Sequence, residues 1–434
     1  MNQAANEPGP TSPPSDGPPP GGRPAPGWIN RTIIGIAAAT LFSDFSHETV
    51  TAVLPLYLAS VGLGAAALGV IEGVADFLVS LSKLGGGLAG HRLRHKKPLA
   101  AAGYLVTALA TSAIGLMTTA PTVLAMRSIA WMARGFRGPL RDYLLGEAAK
   151  ETHYGRAYGL ERAADMVGAV AGPLTATLLV FLGLKFRAII FWALVPGVLA
   201  AASMAFIARE RTAPSAATAS PAAPRAVNPV PKPRFPRMFW LFLAGVALFG
   251  LGDFSRTFLI LIAAGGLNEH APLGSGSLSI AVLLYAGHNL VSALAAFPAG
   301  ALGDRYPKRT ILIGGYALGV ATNLVLALAG GSVPLIIAAI AMSGVYIAVE
   351  ETTEKATVAA SLPRELKSLG FGYLACANAV GDMVSSVYVG TLLGAGHART
   401  AFLIAAGLGL LGVLWMLLAA RPSPAGRAAG TVDS

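Results

Sequence analysis

Residues 300–309 read GALGDRYPKR, and residues 86–97 read GGLAGHRLRHKK. Each is a short basic loop set between long apolar runs, and the two lie in corresponding places on either side of the chain's middle. Working outward from them, the apolar runs fall at 32–59, 67–89, 98–119, 121–145, 157–182 and 188–208. They resume at 237–264, 278–302, 310–329, 333–359, 367–393 and 400–420. A membrane-crossing helix needs roughly 20 mostly apolar residues. The spacing therefore predicts twelve spans, six before and six after a Pro/Ala/Ser-rich stretch. A soluble helical protein would show a polar face on most helices, whereas helices 3, 6, 9 and 12 here carry no interior charge.

Composition agrees. Of 434 residues, 54% are hydrophobic and 12% charged, and mean hydropathy is +0.62. Soluble domains carry about 25% charge, so an ordinary cytosolic enzyme, a disordered chain and a nucleic-acid reader are excluded. The net charge of +11 is topological. Arg92, Arg94, Lys96 and Lys97 follow helix 2, Lys150 and Arg156 follow helix 4, and Arg305, Lys308 and Arg309 follow helix 8. Arg364 and Lys367 follow helix 10, and the middle stretch is basic too, while the alternate loops hold few basic residues. Cytoplasmic loops of membrane proteins carry the excess of Lys and Arg, so both termini and the linker are expected in the cytoplasm of a multi-pass cell-membrane protein. The expected domains are a tail at 1–27, a bundle at 28–208, a linker at 209–236, a second bundle at 237–420 and a tail at 421–434. The N-terminal stretch lacks the pattern of a cleaved signal peptide. The single cysteine, Cys376, excludes a disulfide framework and a cysteine-based metal cluster.

The halves repeat one another. Asp44-Phe45-Ser46 echoes Asp253-Phe254-Ser255, Gly103-Tyr104 echoes Gly315-Tyr316, and Gly159, Asp165 and Gly168 echo Gly372, Asn378 and Gly381. Parallel six-helix repeats are one architecture of secondary transporters. On these residues the chain resembles the major facilitator superfamily, whose loop signature is Gly-x-Leu-x-Asp-Arg-x-Gly-Arg-Lys. The second copy keeps Gly300, Asp304, Arg305, Lys308 and Arg309. The first keeps Gly86 and Arg94 but has Gly90 where the acid belongs. Gly168-Ala-Val-Ala-Gly172-Pro173 in helix 5 resembles the Gly-Pro motif of drug:proton antiporters, without its final doubled Gly. The resemblance implies an all-α fold of two pseudo-symmetric six-helix bundles. Helices 1, 4, 7 and 10 would line the cavity, and Arg127 would match the buried helix 4 arginine linked to proton transfer or substrate.

Charged residues inside spans are costly and mark pathways by default. Asp44 and Glu48 on helix 1 are one turn apart and share a face. On helix 2, Glu72, Asp76 and Lys83 fall within roughly 40° of one another. These four acids are the proton-coupling candidates, against structural pairing as the plainer role. Arg127, Arg134 and Arg141 on helix 4 are spaced by seven and drift only about 20° per step, with Arg137 beside them. Arg127, Arg134, Arg137, Asp253, Arg256, His288 and Asp382 are the substrate or counter-charge candidates; an Asp253–Arg256 pair and a hydrogen-bonded structural His288 are their plainer readings. The gate candidates lie towards the basic loops: Lys83, Arg94, Arg141, Asp142, Glu161, Arg162, Asp165, Asp304, Arg305, Arg309, Glu351 and Lys355. Glu350 and Glu354 form an i,i+4 pair in the same stretch.

Phosphate-binding loop chemistry is absent from the sequence, and the histidines are not spaced as metal ligands. No cofactor, metal or nucleic acid is expected. The reading is a secondary transporter, not an enzyme, and a monomer that moves a small solute with protons and leans towards efflux by antiport. The alternatives are a proton symporter importing a small anionic metabolite, a transporter-like receptor without transport, and a channel. The density of interior acids argues against a receptor, and the gate-like charges argue against an open pore.

Overall fold

The computed structural model of the protein describes residues 28–63, 65–210, 234–254 and 275–419. The expected tails at 1–27 and 421–434 and most of the linker lie outside these residues. The helices are α1 (Arg31–Ser60), α2 (Ala65–Arg92), α3 (Lys97–Ala113), α4 (Ala120–Ala148) and α5 (Tyr154–Phe181). Then come α6 (Phe186–Ile207), which breaks at Ala193 and closes in a π-turn over Ser203–Ile207, and α7 (Arg237–Gly250). The chain continues as α8 (Ser275–Arg305), α9 (Lys308–Ala329), α10 (Val333–Ser361), α11 (Arg364–Gly394) and α12 (Ala398–Leu418).

Local chemistry sets the ends. Asn30 caps α1 by accepting the amides of Thr32 and Ile33, as a short polar N-cap should. Gly330, at φ 48°, takes the left-handed conformation that ends α9. The first linker residues are tied down: Glu210 accepts the amides of Lys96 and Lys97 at 2.9 and 3.2 Å and so caps α3 from outside.

Six helical stretches among the described residues are long and apolar enough to cross a membrane: Lys97–Leu116, Glu151–Phe181, Phe186–Ile207, Lys308–Ala329, Val333–Ser361 and Ala398–Leu418. All four helices expected to be free of interior charge are among them. Pairing follows the repeat. In the first half α1 packs on α5 and α6, and α3 and α2 pack on α4. In the second half α7 packs on α11 and α12, and α9 and α8 pack on α10. The halves meet mainly through α5 on α8 and α2 on α11.

Helix 7 departs from expectation. The apolar run 237–264 predicts a continuous helix, but α7 stops at Gly250 and Asp253 lies beyond its end. Two glycines weaken the helix here, and side chains of neighbouring helices accommodate the freed carbonyls. Tyr388 donates to Leu251 at 2.9 Å, Asn323 to Gly252 at 3.0 Å and Ser385 to Asp253 at 2.7 Å. A helix end buried within a bundle is tolerated when neighbours satisfy its backbone in this way.

Candidate transport site

Asp44 sits on α1 and is buried. Arg134 on α4 forks onto it, Nη1 to Oδ1 at 2.8 Å and Nη2 to Oδ2 at 3.2 Å. Two-point guanidinium–carboxylate pairing is strong and directional. The carboxyl of Asp165 on α5 lies against that of Asp44, within hydrogen-bonding reach. Asp165 in turn accepts from Arg162 at 2.6 Å. The Gly-Pro stretch of α5 makes this possible: a Cβ on Gly172 would stand 2.7 Å from Cβ of Glu48, and one on Gly168 would overlap the backbone at Leu41. The motif thus lays α5 directly on the Asp44–Glu48 turn of α1. Asp165, expected in the gate, is also a partner of the interior acid.

The rest of the arginine stripe is held differently. Arg127 is 1% exposed. It lies 3.7 Å from the ring centre of Trp131 and donates to Thr51 at 3.3 Å. Arg137 lies 3.6 Å from the ring centre of Tyr104 and donates to Ser43 at 2.7 Å. Both are cation–π placements, and Arg134, with 28% of its side chain exposed, is the more open. Trp131 stands four residues after Arg127 in the sequence, a signal the charge pattern alone passes over. Glu48 accepts from Tyr285 of α8 at 3.4 Å. The side chains of Glu72 and Asp76, and all of Arg256, lie outside the described residues.

In the second half, phenols orient the acids. Tyr346 donates to Asp253 at 2.7 Å, Tyr316 donates to Glu354, and Asn378 donates to Glu354 at 2.7 Å. His288 is buried and bonded through both ring nitrogens, to Ser343 and Asn289. Asp382 is exposed and Glu350 buried.

At the basic-loop end an ion-pair lattice joins the halves. Glu161 is 1% exposed and lies between Arg141 at 2.9 Å and Lys355 of α10 at 3.3 Å. Asp142 meets Arg141 at 2.9 Å and Lys355 at 4.0 Å. Arg162 reaches Glu351 at 2.8 Å, so one side chain connects the Asp44–Asp165 pair to the lattice. Asp304, from the second signature loop, accepts the amides of Gly155 and Arg156 at 2.7 and 3.0 Å. Glu147 pairs with Arg364 and, at 3.6 Å, with Lys367. Arg94 and Arg305 are exposed and stand outside the lattice, Arg309 is half-buried at the start of α9, and Lys83 is half-buried on α2. Sequence reasoning passed over Glu147, a lone acid in the last turn of α4 whose partners lie on α11.

Two pseudo-equivalent bundles of long helices, an interior carboxylate forked by arginine and an ion-pair lattice at one end fit a membrane transporter of the secondary class. The profile of the Major Facilitator Superfamily matches residues 36–287 and 254–433, and the chain belongs to that family. An uncharacterized MFS-type transporter of Methanocaldococcus jannaschii is 26% identical over 291 residues, 66% of this chain and 70% of the relative. An uncharacterized protein of Mycobacterium bovis is 25% identical over 354 residues, 80% of this chain and 82% of the relative. Among solved structures, the human organic anion transporter MFSD10 matches at TM-score 0.70 and 14% identity, covering 89% of this chain and 99% of its own. The proton:xylose symporter XylE matches at 0.66 and 15%, covering 89% and 95%. At such identity the structures speak for the fold alone.

Proposed function

We propose that this transporter moves a small solute by alternating access and is driven by protons taken up at Asp44, with its basic-loop face towards the cytoplasm. The observation that carries this reading is the place of Asp44 between Arg134 and Asp165. Two carboxyl groups in contact favour sharing a proton, and one guanidinium favours releasing it. A proton on Asp44 weakens the fork and frees Arg134, the more open arginine. The rearrangement reaches the lattice through Asp165, Arg162 and Glu351. Glu48, Glu72 and Asp76 are the accessory acids in this scheme.

Antiport, and hence export, is the favoured direction, because the Gly-Pro stretch of α5, which resembles the motif of drug:proton antiporters, packs on the Asp44–Glu48 turn. A freed Arg134 also suits an anionic cargo carried by symport, and organic anions are what the similarly folded human transporter is described as carrying. Proton flux into proteoliposomes tests the scheme. Asp44→Asn is expected to abolish solute-coupled proton movement while leaving cargo binding. Wild-type coupling in Asp44→Asn overturns it, and the sign of the pH gradient that drives cargo separates antiport from symport.

A further inference from the structure

We propose that the residues leading into α1 form a strap that holds the basic-loop face closed, with Trp28 as the part that crosses from the first bundle to the second. This rests on the alternating-access reading above, but not on which acid carries the proton or what the cargo is.

The strap is rooted in the first bundle. Asn30 accepts the amides of Thr32 and Ile33, and its Nδ2 donates to the Ala148 carbonyl at the end of α4 at 2.8 Å. The Thr32 hydroxyl donates to the Arg209 carbonyl at 3.0 Å and accepts from the Arg209 amide at 3.1 Å. These bonds fix the course of the chain where it enters α1. Two residues before Asn30, Trp28 is half-buried and stacks on Phe297 of α8, with ring centres 5.9 Å apart and planes inclined by 28°. Phe297 belongs to the second bundle, and its backbone is part of the α5–α8 joint: a Cβ on Gly159 would lie 3.1 Å from Phe297 Cα. The indole therefore reaches from one bundle to the other beside their close backbone contact.

The corresponding segment before α7 is arranged otherwise. Phe235 packs on Phe239 and Trp240 of α7 and on Tyr373 of α11, at 5.0, 5.5 and 5.5 Å between ring centres. All of these lie in the second bundle, so Phe235 anchors the entry to its own helix and nothing more. Trp28 moves with the first bundle and Phe297 with the second, so parting α5 from α8 also parts the rings. A contact present in one of two states shifts the population towards that state. A stacked aromatic pair is enough for a shift of about 2- to 10-fold. The released indole is at home in the membrane–water interface, so the strap biases the closed form without locking it.

Hydrogen exchange of the purified full-length protein in nanodiscs, read by mass spectrometry, tests this. The amides of Gly155 and Arg156 are bonded to Asp304 of α8 across the joint, so their exchange reports its opening. Those of Lys96 and Lys97, bonded to Glu210, are the control. Trp28→Ala is expected to speed exchange at Gly155 and Arg156 by about 2- to 10-fold and to leave Lys96 and Lys97 unchanged. Trp28→Phe, which keeps a ring, is expected to stay near the wild type. Phe297→Leu is expected to act like Trp28→Ala, and the double variant to add nothing to the larger single effect. Unchanged exchange at Gly155 and Arg156 in Trp28→Ala overturns the proposal. Equal acceleration at the control amides overturns it as well, because that is general loosening. So do effects that multiply in the double variant, which would make the two rings independent. The measurement needs neither cargo nor a proton gradient, so the proton-flux test of Asp44 can fail while the strap stands, and the reverse.

Discussion

The contact of α5 with α8 and that of α2 with α11 are the same joint built twice, and they differ at one rung. In the first, Gly159 faces the Ala296 carbonyl and Gly155 lies backbone to backbone on Gly300. In the second, Gly372 faces the Lys83 carbonyl and lies on Gly87. The next rung separates them. Asp304 caps the amides of Gly155 and Arg156 across the first joint, whereas Gly90 lies against Ser368 in the second. The cause is where the opposing helix begins. α5 starts at Tyr154 and its own N-cap, His153, makes no side-chain cap, so its first-turn amides lack intrahelical partners and attract a carboxylate. α11 starts at Arg364, which places Ser368 in the second turn, where an amide is already bonded within the helix. An acid at position 90 would have no amide to cap and no room.

That comparison can be broken at three strengths. The largest effect is expected for Gly300→Val, whose side chain would overlap the Gly155 backbone. Overpacking of this kind costs about 1–3 kcal/mol or more, and thermal unfolding in detergent should show it together with an opened basic-loop face. Next comes Gly90→Asp. If the first signature merely lacked its acid, restoring it would tighten the closed form. The structure instead sets the new Cβ on Ser368 Oγ and 2.7 Å from Leu140 Cδ2, so the melting temperature should fall, and Ser368→Ala should recover part of the loss. The smallest is Asp304→Ala. Losing a cap costs about 0.5–2 kcal/mol, and cysteine accessibility near Gly155 should rise with little change in the melt. An Asp304→Ala more damaging than Gly300→Val would reverse the ranking and make the charge, not the close approach, the basis of the joint.

Much of this was legible in the residues. Apart from helix 7, the apolar runs placed the described helices to within a few residues, because a helix in an apolar layer must hide its backbone. Asp304 stood out through its signature, and the missing acid at Gly90 was visible. The reason for Gly90 was not, since it depends on a helix start 274 positions away. Arg364 and Lys367 read as loop charges marking topology, yet both lie in the first turn of α11 and grip Glu147. The end of α7 at Gly250 escaped because Asn323, Ser385 and Tyr388, which make it tolerable, are far along the chain. Periodicity reports which face of a helix is apolar, not which distant side chain completes it.

The Asp142–Lys355 contact bears on how the two bundles recognise each other during assembly. Counted from the starts of α4 and α10, these two residues occupy the same position in their respective halves. A particle made from two first bundles would set Asp142 against another Asp142, and one made from two second bundles would set Lys355 against another Lys355. Only the mixed partnership is neutral at that point, and repulsion against wrong partners is as effective a selector as attraction to right ones. The polypeptide is therefore keyed: were its linker cut, the pieces would be expected to find each other rather than copies of themselves.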